Sequence, residues 1–170
     1  MERFDHVLNK IVTVDLAKQK RALWELKNQT VVFTNGCFDI LHPGHVTYLA
    51  KAASLGNKLI VGLNSDDSVR SLNKAENRPI NSHDSRALVM AALGFVDLVV
   101  VFQDSTPEYL IQMLKPDVLV KGGDYDADET NPNSKSYIVG AEFIKSYGGT
   151  VKTIDLVDGY STTSIIEKMK

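Results

Sequence analysis

The chain has 170 residues, of which 44% are hydrophobic and 24% charged, and this is the size and mixture of one globular domain. Its 19 basic and 21 acidic side chains leave a formal charge of −2, so no excess of cations favours nucleic acid or an anionic membrane. Apolar runs such as Leu98–Phe102 are too short to span a bilayer, and the first residues lack a secretory core. The single cysteine, Cys37, cannot form an intramolecular disulfide, so the composition predicts a cytoplasmic protein.

Hydrophobic periodicity predicts that helices and strands alternate along the chain. An amphipathic segment at 15–26 indicates a helix ahead of the first strand. The predicted strands are short runs rich in β-branched residues, at 30–33, 58–63, 97–102, 117–120 and 150–154. The later predicted helices lie at 46–53, 82–93, 107–114, 138–147 and 162–169.

Five short apolar strands separated by helices are typical of a parallel sheet that is covered on both faces. The sequence therefore predicts a doubly wound, Rossmann-like α/β fold with a five-stranded parallel sheet. Residues 1–29 are expected to form a helical extension that packs or makes oligomer contacts, and residues 30–170 a single domain. In such sheets ligands bind beyond the carboxyl ends of the strands, so the segments after residues 33, 63, 120 and 154 become candidates for a site.

The most informative segment is the run from Thr34 to His45, which contains the tetrapeptide His-Pro-Gly-His. Proline followed by glycine favours a helix start, so His42 and His45 would lie near backbone N–H groups that attract anions. A pair of imidazoles at this position predicts a phosphate site. The i, i+3 spacing would also suit a metal ion, but no glutamate accompanies the histidines as in a zinc-protease helix.

Two motifs in this segment, Gly-x-Phe-Asp at 36–39 and His-x-Gly-His at 42–45, resemble the nucleotidyltransferase superfamily that contains the cytidylyltransferases. Further matching residues follow in the order that this family uses: Asn64-Ser65-Asp66, Arg78-Pro79, Arg86, Lys121-Gly122-Gly123-Asp124-Tyr125 and Gly159-Tyr160-Ser161-Thr162-Thr163. Together they resemble most closely the adenylyltransferases that form ADP-heptose, over residues 31–169. The segments at 120–125 and 159–166 are more specific than the histidines, which point only to nucleotidyl transfer.

This resemblance implies that AMP is transferred from ATP to D-glycero-β-D-manno-heptose 1-phosphate, giving ADP-heptose and pyrophosphate for lipopolysaccharide core or related heptose glycans. It also implies Mg²⁺ as the cofactor that accompanies ATP, for which we assign no protein ligand because phosphate oxygens and water can supply most of its coordination. A phosphate nucleophile arrives already ionised, so positioning and charge neutralisation are expected to dominate catalysis.

The resemblance assigns roles to individual residues. The expected catalytic residues are His42, His45, Lys121, Ser161 and Thr162. The expected nucleotide-binding residues are these five with Thr34, Asn35, Gly36, Phe38, Gly122, Asp124 and Thr163. The expected acceptor-binding residues are Asp39, Asn64, Asp66, Arg78 and Arg86.

Structural alternatives to these roles stay open at this point. The hydroxyl groups at 161–163 could simply cap a helix, and the glycine pair at 122–123 could form a tight turn. Arg86 could be a solvated arginine. Asp39 is expected to order the first loop or bind a hydroxyl rather than act as a general base.

Two other functions compete with heptose adenylylation. Glycerol-3-phosphate cytidylyltransferases share the histidines and the Ser-Thr-Thr segment, but typically have Arg-Thr-x-Gly before it, where this chain has Leu156-Val157-Asp158-Gly159. A nucleotide-binding regulator that lacks turnover is the non-enzymatic alternative, although a sensor has no need for the transition-state groups.

The resemblance also bears on partners. ADP-heptose synthases often join this domain to a sugar kinase, so we expect a separate heptose kinase or a longer parent protein. A homodimer or larger oligomer is expected as well. Finally, the polar stretch at 126–136 looks longer than the corresponding family loop, and we expect it to be mobile.

Overall fold

The computed structural model describes residues 2–72 and 77–168. Within this part of the chain, five strands alternate with eight helices. The strands are β1 (Val31–Gly36), β2 (Lys58–Asn64), β3 (Leu98–Phe102), β4 (Val118–Gly122) and β5 (Thr150–Ile154). The helices are α1 (Arg3–Leu8), α2 (Val14–Leu26), α3 (Pro43–Ala53), α4 (Asp66–Ser71), α5 (His83–Ala92), α6 (Glu108–Leu114), α7 (Ala141–Ser146) and α8 (Thr162–Lys168).

All five strands are parallel, in the order β3-β2-β1-β4-β5. Because successive side chains of a strand point to opposite faces, Phe33 packs with helices α2, α6 and α7 while its neighbour Val32 packs with α3 and α5. The sheet therefore has a hydrophobic core on each face. The predicted doubly wound, Rossmann-like fold is confirmed.

Helix α2 packs against α6, with Ala17 fully buried between them and the sheet. Its Arg21 donates to the Lys115 carbonyl and forms an ion pair with Asp117, with an Nη2–Oδ1 distance of 3.0 Å. Just before α2, Val12 donates to the Val99 carbonyl, so the chain forms a short parallel bridge along the outer edge of β3. The first residues thus cover one edge and one face of the sheet.

The structure corrects several predicted boundaries. Strand β1 continues beyond residue 33 to Gly36, because β2 supplies partners for Asn35 and Gly36 that their low strand propensity does not reveal. Helix α7 begins three residues later than predicted, since Gly140 adopts a left-handed φ of +87°. The short helices α1 and α4 have too few residues to show a helical period, so the sequence does not predict them. The predicted last residue of the terminal helix, Met169, lies outside the described residues.

No helix in the described ranges is both long enough and apolar enough to cross a lipid bilayer.

Candidate functional site

The sheet opens between β1 and β4, the point at which strand order reverses. These two strands pair only at Val32↔Val118 and Phe33↔Leu119, whereas β1 remains paired with β2 as far as Gly36↔Leu63. Such a switch point is where ligands bind in open α/β sheets. A cleft of about 780 Å³ lies there, at the carboxyl edge of the sheet.

Two segments that pack on opposite faces of the sheet enclose this cleft. We call residues 35–48, together with the start of α8, the histidine wall, because α3 carries the histidines and packs on the same face as α5. We call residues 122–139 the loop wall, since this segment leads into Ile138 and the core on the other face. A ligand in the cleft therefore contacts groups from both sides of the sheet.

Of the residues that the sequence assigned to a site, most line the cleft. They are Asn35, Gly36, Phe38, His42, His45, Asn64, Arg78, Lys121, Gly122, Asp124, Ser161, Thr162 and Thr163. The remaining four do not line it. They are Thr34, Asp39, Asp66 and Arg86.

The two histidines stack on each other at the start of α3. Their ring centroids lie 3.7 Å apart with an interplanar angle of 18°. His42 is the N-cap residue, and its Nδ1 accepts a hydrogen bond of 3.3 Å from the backbone N–H of His45. A nitrogen that accepts carries no proton, so the proton of neutral His42 lies on Nε2, which can donate. Burial lowers the pKa of His42, and the ring is therefore neutral at pH 7.

The space around this stack is tight at Gly44. A Cβ on Gly44 would lie 3.1 Å from His42 ring atoms and 3.1 Å from the Tyr160 Cβ. Tyr160 itself is roughly parallel to the His42 ring, with centroids 6.2 Å apart. The glycine thus lets the start of α8 approach the histidines closely.

Phe38 closes the other side of the histidine pair. It adopts a left-handed φ of 44°, which is unusual for a side chain of this size and is typical of strained functional loops. Its ring meets His45 edge-on at 5.2 Å and lies over Gly36, where a Cβ would come within 2.9 Å of the ring. The sequence gives no signal for this backbone conformation.

Side chains bridge the opening between β1 and β4. The Tyr48 hydroxyl donates to the Val120 carbonyl at 3.2 Å and lies 2.7 Å from the Thr34 hydroxyl. Because the tyrosine proton is used on Val120, Thr34 is the donor in the second bond. Burial raises the pKa of Tyr48, so its hydroxyl remains protonated. The Thr34 side chain, expected to bind the nucleotide, is fully buried in this bridge.

Lys121 extends from β4 across the same opening. Its Nζ donates to Asn35 Oδ1 and lies 5.2 Å from the centroid of the Tyr125 ring. The side chain is only 8% exposed, so a buried cation faces the cleft with an amide oxygen and an aromatic face beside it. Such a cation is well placed to meet an anionic ligand.

The two glycines after Lys121 are needed for contacts within the protein. A Cβ on Gly122 would come within 2.8 Å of Asp124 Oδ1, and one on Gly123 would lie 3.1 Å from the Asp155 backbone. Asp124 is the one carboxylate among the described residues that line the cleft. Magnesium that enters with a triphosphate would therefore take most of its ligands from phosphate oxygens and water, with Asp124 as the available protein donor.

Asp39 supports the histidine wall from beneath. Its buried carboxylate accepts hydrogen bonds from the backbone N–H groups of Ile80 and Asn81, and pairs with Arg78 Nε at 3.0 Å. Sequence reasoning expected Asp39 to bind the acceptor or order the loop, and the contacts favour the second role. Arg78, which does line the cleft, is thus held by a carboxylate.

Arg86 is a second buried support. It is 2% exposed and donates to the Cys37 carbonyl at 2.6 Å and to the Asp66 carboxylate at 2.8 Å. Burial raises the pKa of Asp66, but Arg86 and His83, whose Nδ1 lies 3.2 Å from the carboxylate, outweigh this and leave the pKa below its ordinary value. Because Arg86 is bound to protein oxygens beneath the loop, the geometry favours a structural role for it over the expected contact with substrate.

The start of α8 forms part of the histidine wall. Ser161 caps the helix, since its Oγ accepts from the backbone N–H of Ser164 at 3.0 Å. Thr162 and Thr163 line the cleft beside it. The capping role that the sequence left open is therefore present for Ser161.

Sequence reasoning missed several residues that line the cleft. They are Tyr48, Ser105, Thr106, Pro107, Tyr125, Lys135, Tyr137 and Tyr160. Residues 105–107 follow the carboxyl end of β3, so the strand-end rule applied to every strand would have found them. Tyr125 and Tyr160 lie within the family motifs at 121–125 and 159–163, which could have indicated them. No local signal marks the remaining three, because tertiary packing brings them to the edge of the sheet.

Known proteins resemble this chain over most of its length. Residues 33–168 match the cytidylyltransferase-like family. Among curated proteins, the chain is 55% identical over 143 residues to a bifunctional protein HldE of Pseudomonas entomophila, covering 84% of this chain and 28% of that protein. It is 54% identical, with the same coverage, to bifunctional proteins HldE of Pseudomonas putida and Pseudomonas fluorescens. The chain thus spans about 28% of the length of the curated relatives it matches.

Two solved structures share the fold. A lipopolysaccharide core biosynthesis protein from Thermoplasma volcanium is 27% identical with a TM-score of 0.57, covering 78% of this chain and 99% of that one. A pantoate-beta-alanine ligase from Francisella tularensis is 15% identical with a TM-score of 0.60, covering 92% of this chain and 75% of that one. The second likeness, at this identity, concerns the fold alone.

Proposed function

The chain belongs to the cytidylyltransferase-like family, and from this premise we propose that it transfers AMP from ATP to D-glycero-β-D-manno-heptose 1-phosphate. The products are ADP-heptose and pyrophosphate. The observation that carries the proposal is that one cleft brings together the histidine pair, Lys121 and the Ser-Thr-Thr segment. These groups stand far apart in the sequence, and each suits a phosphate.

In this reaction a phosphate oxygen of the sugar attacks the α-phosphorus of ATP, and the bond to the β-phosphate oxygen breaks as pyrophosphate leaves. The Nε2–H of His42 donates to a triphosphate oxygen, and His45 stacks against it as the second imidazole of the site. Lys121 neutralises charge that develops on the phosphates. The acceptor needs no general base because its phosphate is already ionised.

The order of the strands separates the two substrates. We assign the nucleoside to the β4 and β5 side, where Gly122, Asp124 and Tyr160 line the cleft. We assign the sugar to the β2 and β3 side, where Asn64, Arg78 and residues 105–107 supply hydroxyl, amide and guanidinium groups. The phosphates of both substrates then meet at the histidines in the middle.

The choice of heptose rests on the resemblance of residues 120–125 and 159–166 to the adenylyltransferases that form ADP-heptose. The likeness to a lipopolysaccharide core biosynthesis protein supports the same choice. We further propose that a heptose kinase supplies the acceptor, that the reaction takes place in the cytoplasm, and that the chain forms a homo-oligomer.

The test is pyrophosphate release in the presence of Mg²⁺, with ATP, CTP and GTP each combined with heptose 1-phosphate and glycerol 3-phosphate. We expect turnover only with ATP and the heptose. Turnover of CTP with glycerol 3-phosphate would replace the proposal with a cytidylyltransferase. Nucleotide binding without turnover in any combination would favour a regulator.

A further inference from the structure

The loop wall contains a segment, residues 126–136, that closes on itself. Its two ends meet because the Asp126 N–H donates to the Ser136 carbonyl at 2.9 Å. Within it, side chains of Asp126, Asn131 and Ser134 accept from backbone N–H groups two residues ahead. The segment therefore has the construction of a compact Ω-loop rather than that of an open tether.

This loop is also fixed to the body of the protein. Lys145, on α7, donates to the Ala127 carbonyl at 2.6 Å. Immediately after the loop, Ile138 is fully buried in the core that Phe33 and α6 share. Its position against the cleft is thus set at both ends, and Ser134, Lys135 and Tyr137 line the cleft from this side.

The cationic side chains of Arg78, Lys121 and Lys135 line the cleft and differ in their interaction partners. Arg78 pairs with Asp39, and Lys121 donates to Asn35. Lys135 is exposed, and it makes no hydrogen bond or ion pair with any residue in the ranges 2–72 and 77–168. A triphosphate and a sugar phosphate together carry more negative charge than two restrained cations offset.

We propose that Lys135 binds a phosphate group of the substrates from the loop wall, opposite the histidines, and this rests on the proposed nucleotidyl transfer. Lysine suits the task because its ammonium group is a point charge on a flexible stem that can follow a phosphate during the reaction. The same chemistry is offered by the triphosphate and by the sugar phosphate, and the experiment separates them.

The experiment compares Lys135→Ala, Lys135→Arg and a matched control, Lys18→Ala, which removes an exposed lysine of α2 outside the cleft. ATP and heptose 1-phosphate are titrated separately into each protein by calorimetry, and KM and kcat are measured at low and high salt. Lys135→Ala is expected to lower the affinity for one of the two ligands roughly three- to tenfold, and the reduction should be smaller at high salt. Lys135→Arg should restore most of the affinity, and Lys18→Ala should match the parent.

Weaker ATP binding identifies the triphosphate as the partner, and weaker heptose 1-phosphate binding identifies the acceptor. Equal affinities of the parent and Lys135→Ala for both ligands would overturn the proposal, even if the parent is an active transferase. Conversely, a parent that binds ATP through Lys135 but releases no pyrophosphate would overturn the proposed function and leave the role of Lys135 standing.

Discussion

The two walls of the cleft are held by different kinds of contact. In the histidine wall, the contacts join residues far apart in the chain, such as Asp39 with Asn81 and Arg86 with Cys37. In the loop wall, residues 126–136 are held largely by bonds between residues two or three apart. The geometry of the histidines therefore depends on contacts throughout the fold. Residues of the loop wall, in contrast, can be changed with little effect on the stability of the fold.

The largest expected effect is the loss of the Arg86 support. Arg86→Met removes a cation that is fully buried and leaves Asp66 and the Cys37 carbonyl without their donor. We expect the free energy of unfolding to fall by about 3–5 kcal/mol, measured by urea denaturation. The matched variant in the loop wall is Asn131→Ala, which removes an exposed hydrogen bond between residues two apart. It should change the free energy of unfolding by less than about 0.5 kcal/mol.

Equal losses of stability in these two variants would contradict the distinction between the walls. A small loss for Arg86→Met alone would mean that the arginine is dispensable to the fold, and would return it to the substrate-binding role that the sequence implied.

The next effect concerns activity rather than stability. His45→Ala removes one ring of the stacked pair at the phosphate site, while its backbone N–H still donates to His42. We expect pyrophosphate release to fall roughly 10²–10³-fold in kcat/KM, because groups that stabilise charge in the transition state contribute this much. Circular dichroism and the melting temperature should stay close to those of the parent. Near-normal turnover would remove His45 from the catalytic residues.

Two glycine substitutions distinguish an effect on the position of the histidines from an effect on the stability of the fold. In Gly44→Ala the new methyl group presses on the His42 ring and Tyr160, so we expect turnover to fall about tenfold or more. Stability should change by less than about 1 kcal/mol, since alanine is the better helix former. Gly56→Ala is the matched change away from the cleft, where a Cβ would lie 2.8 Å from the Thr30 carbonyl oxygen.

For Gly56→Ala we expect the reverse pattern, a loss of about 1–3 kcal/mol in stability with unchanged turnover of the folded protein. Thermal melts and pyrophosphate release measured on both variants check the pair. If Gly44→Ala keeps full turnover, the close approach of Tyr160 to the histidines has no role in positioning them.

The fold could be predicted from the sequence because each apolar strand is followed by a helical period, and five such units allow few topologies. The position of the histidine pair at a helix start could be predicted as well, because Pro43 and Gly44 are a local signal for the beginning of a helix. In contrast, the buried roles of Thr34 and Arg86 could not be predicted. A threonine or arginine looks the same in sequence whether it faces a ligand or a hydrogen-bond partner from a distant part of the chain.

Lys135 is the opposite case, a residue that lines the cleft but that the sequence does not indicate. Its segment is polar and carries no periodicity, so the sequence predicts only a loop there. Local turns formed by Asp, Asn and Ser fix its path, but only the packing of Ile138 decides that the loop borders the cleft. Residues brought to a site by long-range packing leave no local signal.

The smallest expected effect is the acid dependence of the Arg86–Asp66 pair. The pKa of Asp66 lies below its ordinary value, because Arg86 and His83 beside the carboxylate outweigh the effect of burial. A carboxyl whose pKa is lower in the folded state contributes stability at neutral pH and loses it as the pH falls through that pKa. We therefore expect the parent to lose stability below about pH 4 beyond the loss seen in Asp66→Asn, which cannot ionise.

Urea denaturation from about pH 6 to about pH 3 measures this difference, and titrating groups that do not interact with Asp66 cancel when the two proteins are compared. The two curves should approach each other as the pH falls, since protonated Asp66 and the amide that replaces it in the variant both present a neutral group to Arg86. Curves that stay parallel would mean that the pKa of Asp66 is the same in the folded and the unfolded protein. The Arg86–Asp66 ion pair would then add no net stability, and the support that Arg86 gives to the histidine wall would come from its bonds to the Cys37 and Asn81 carbonyls.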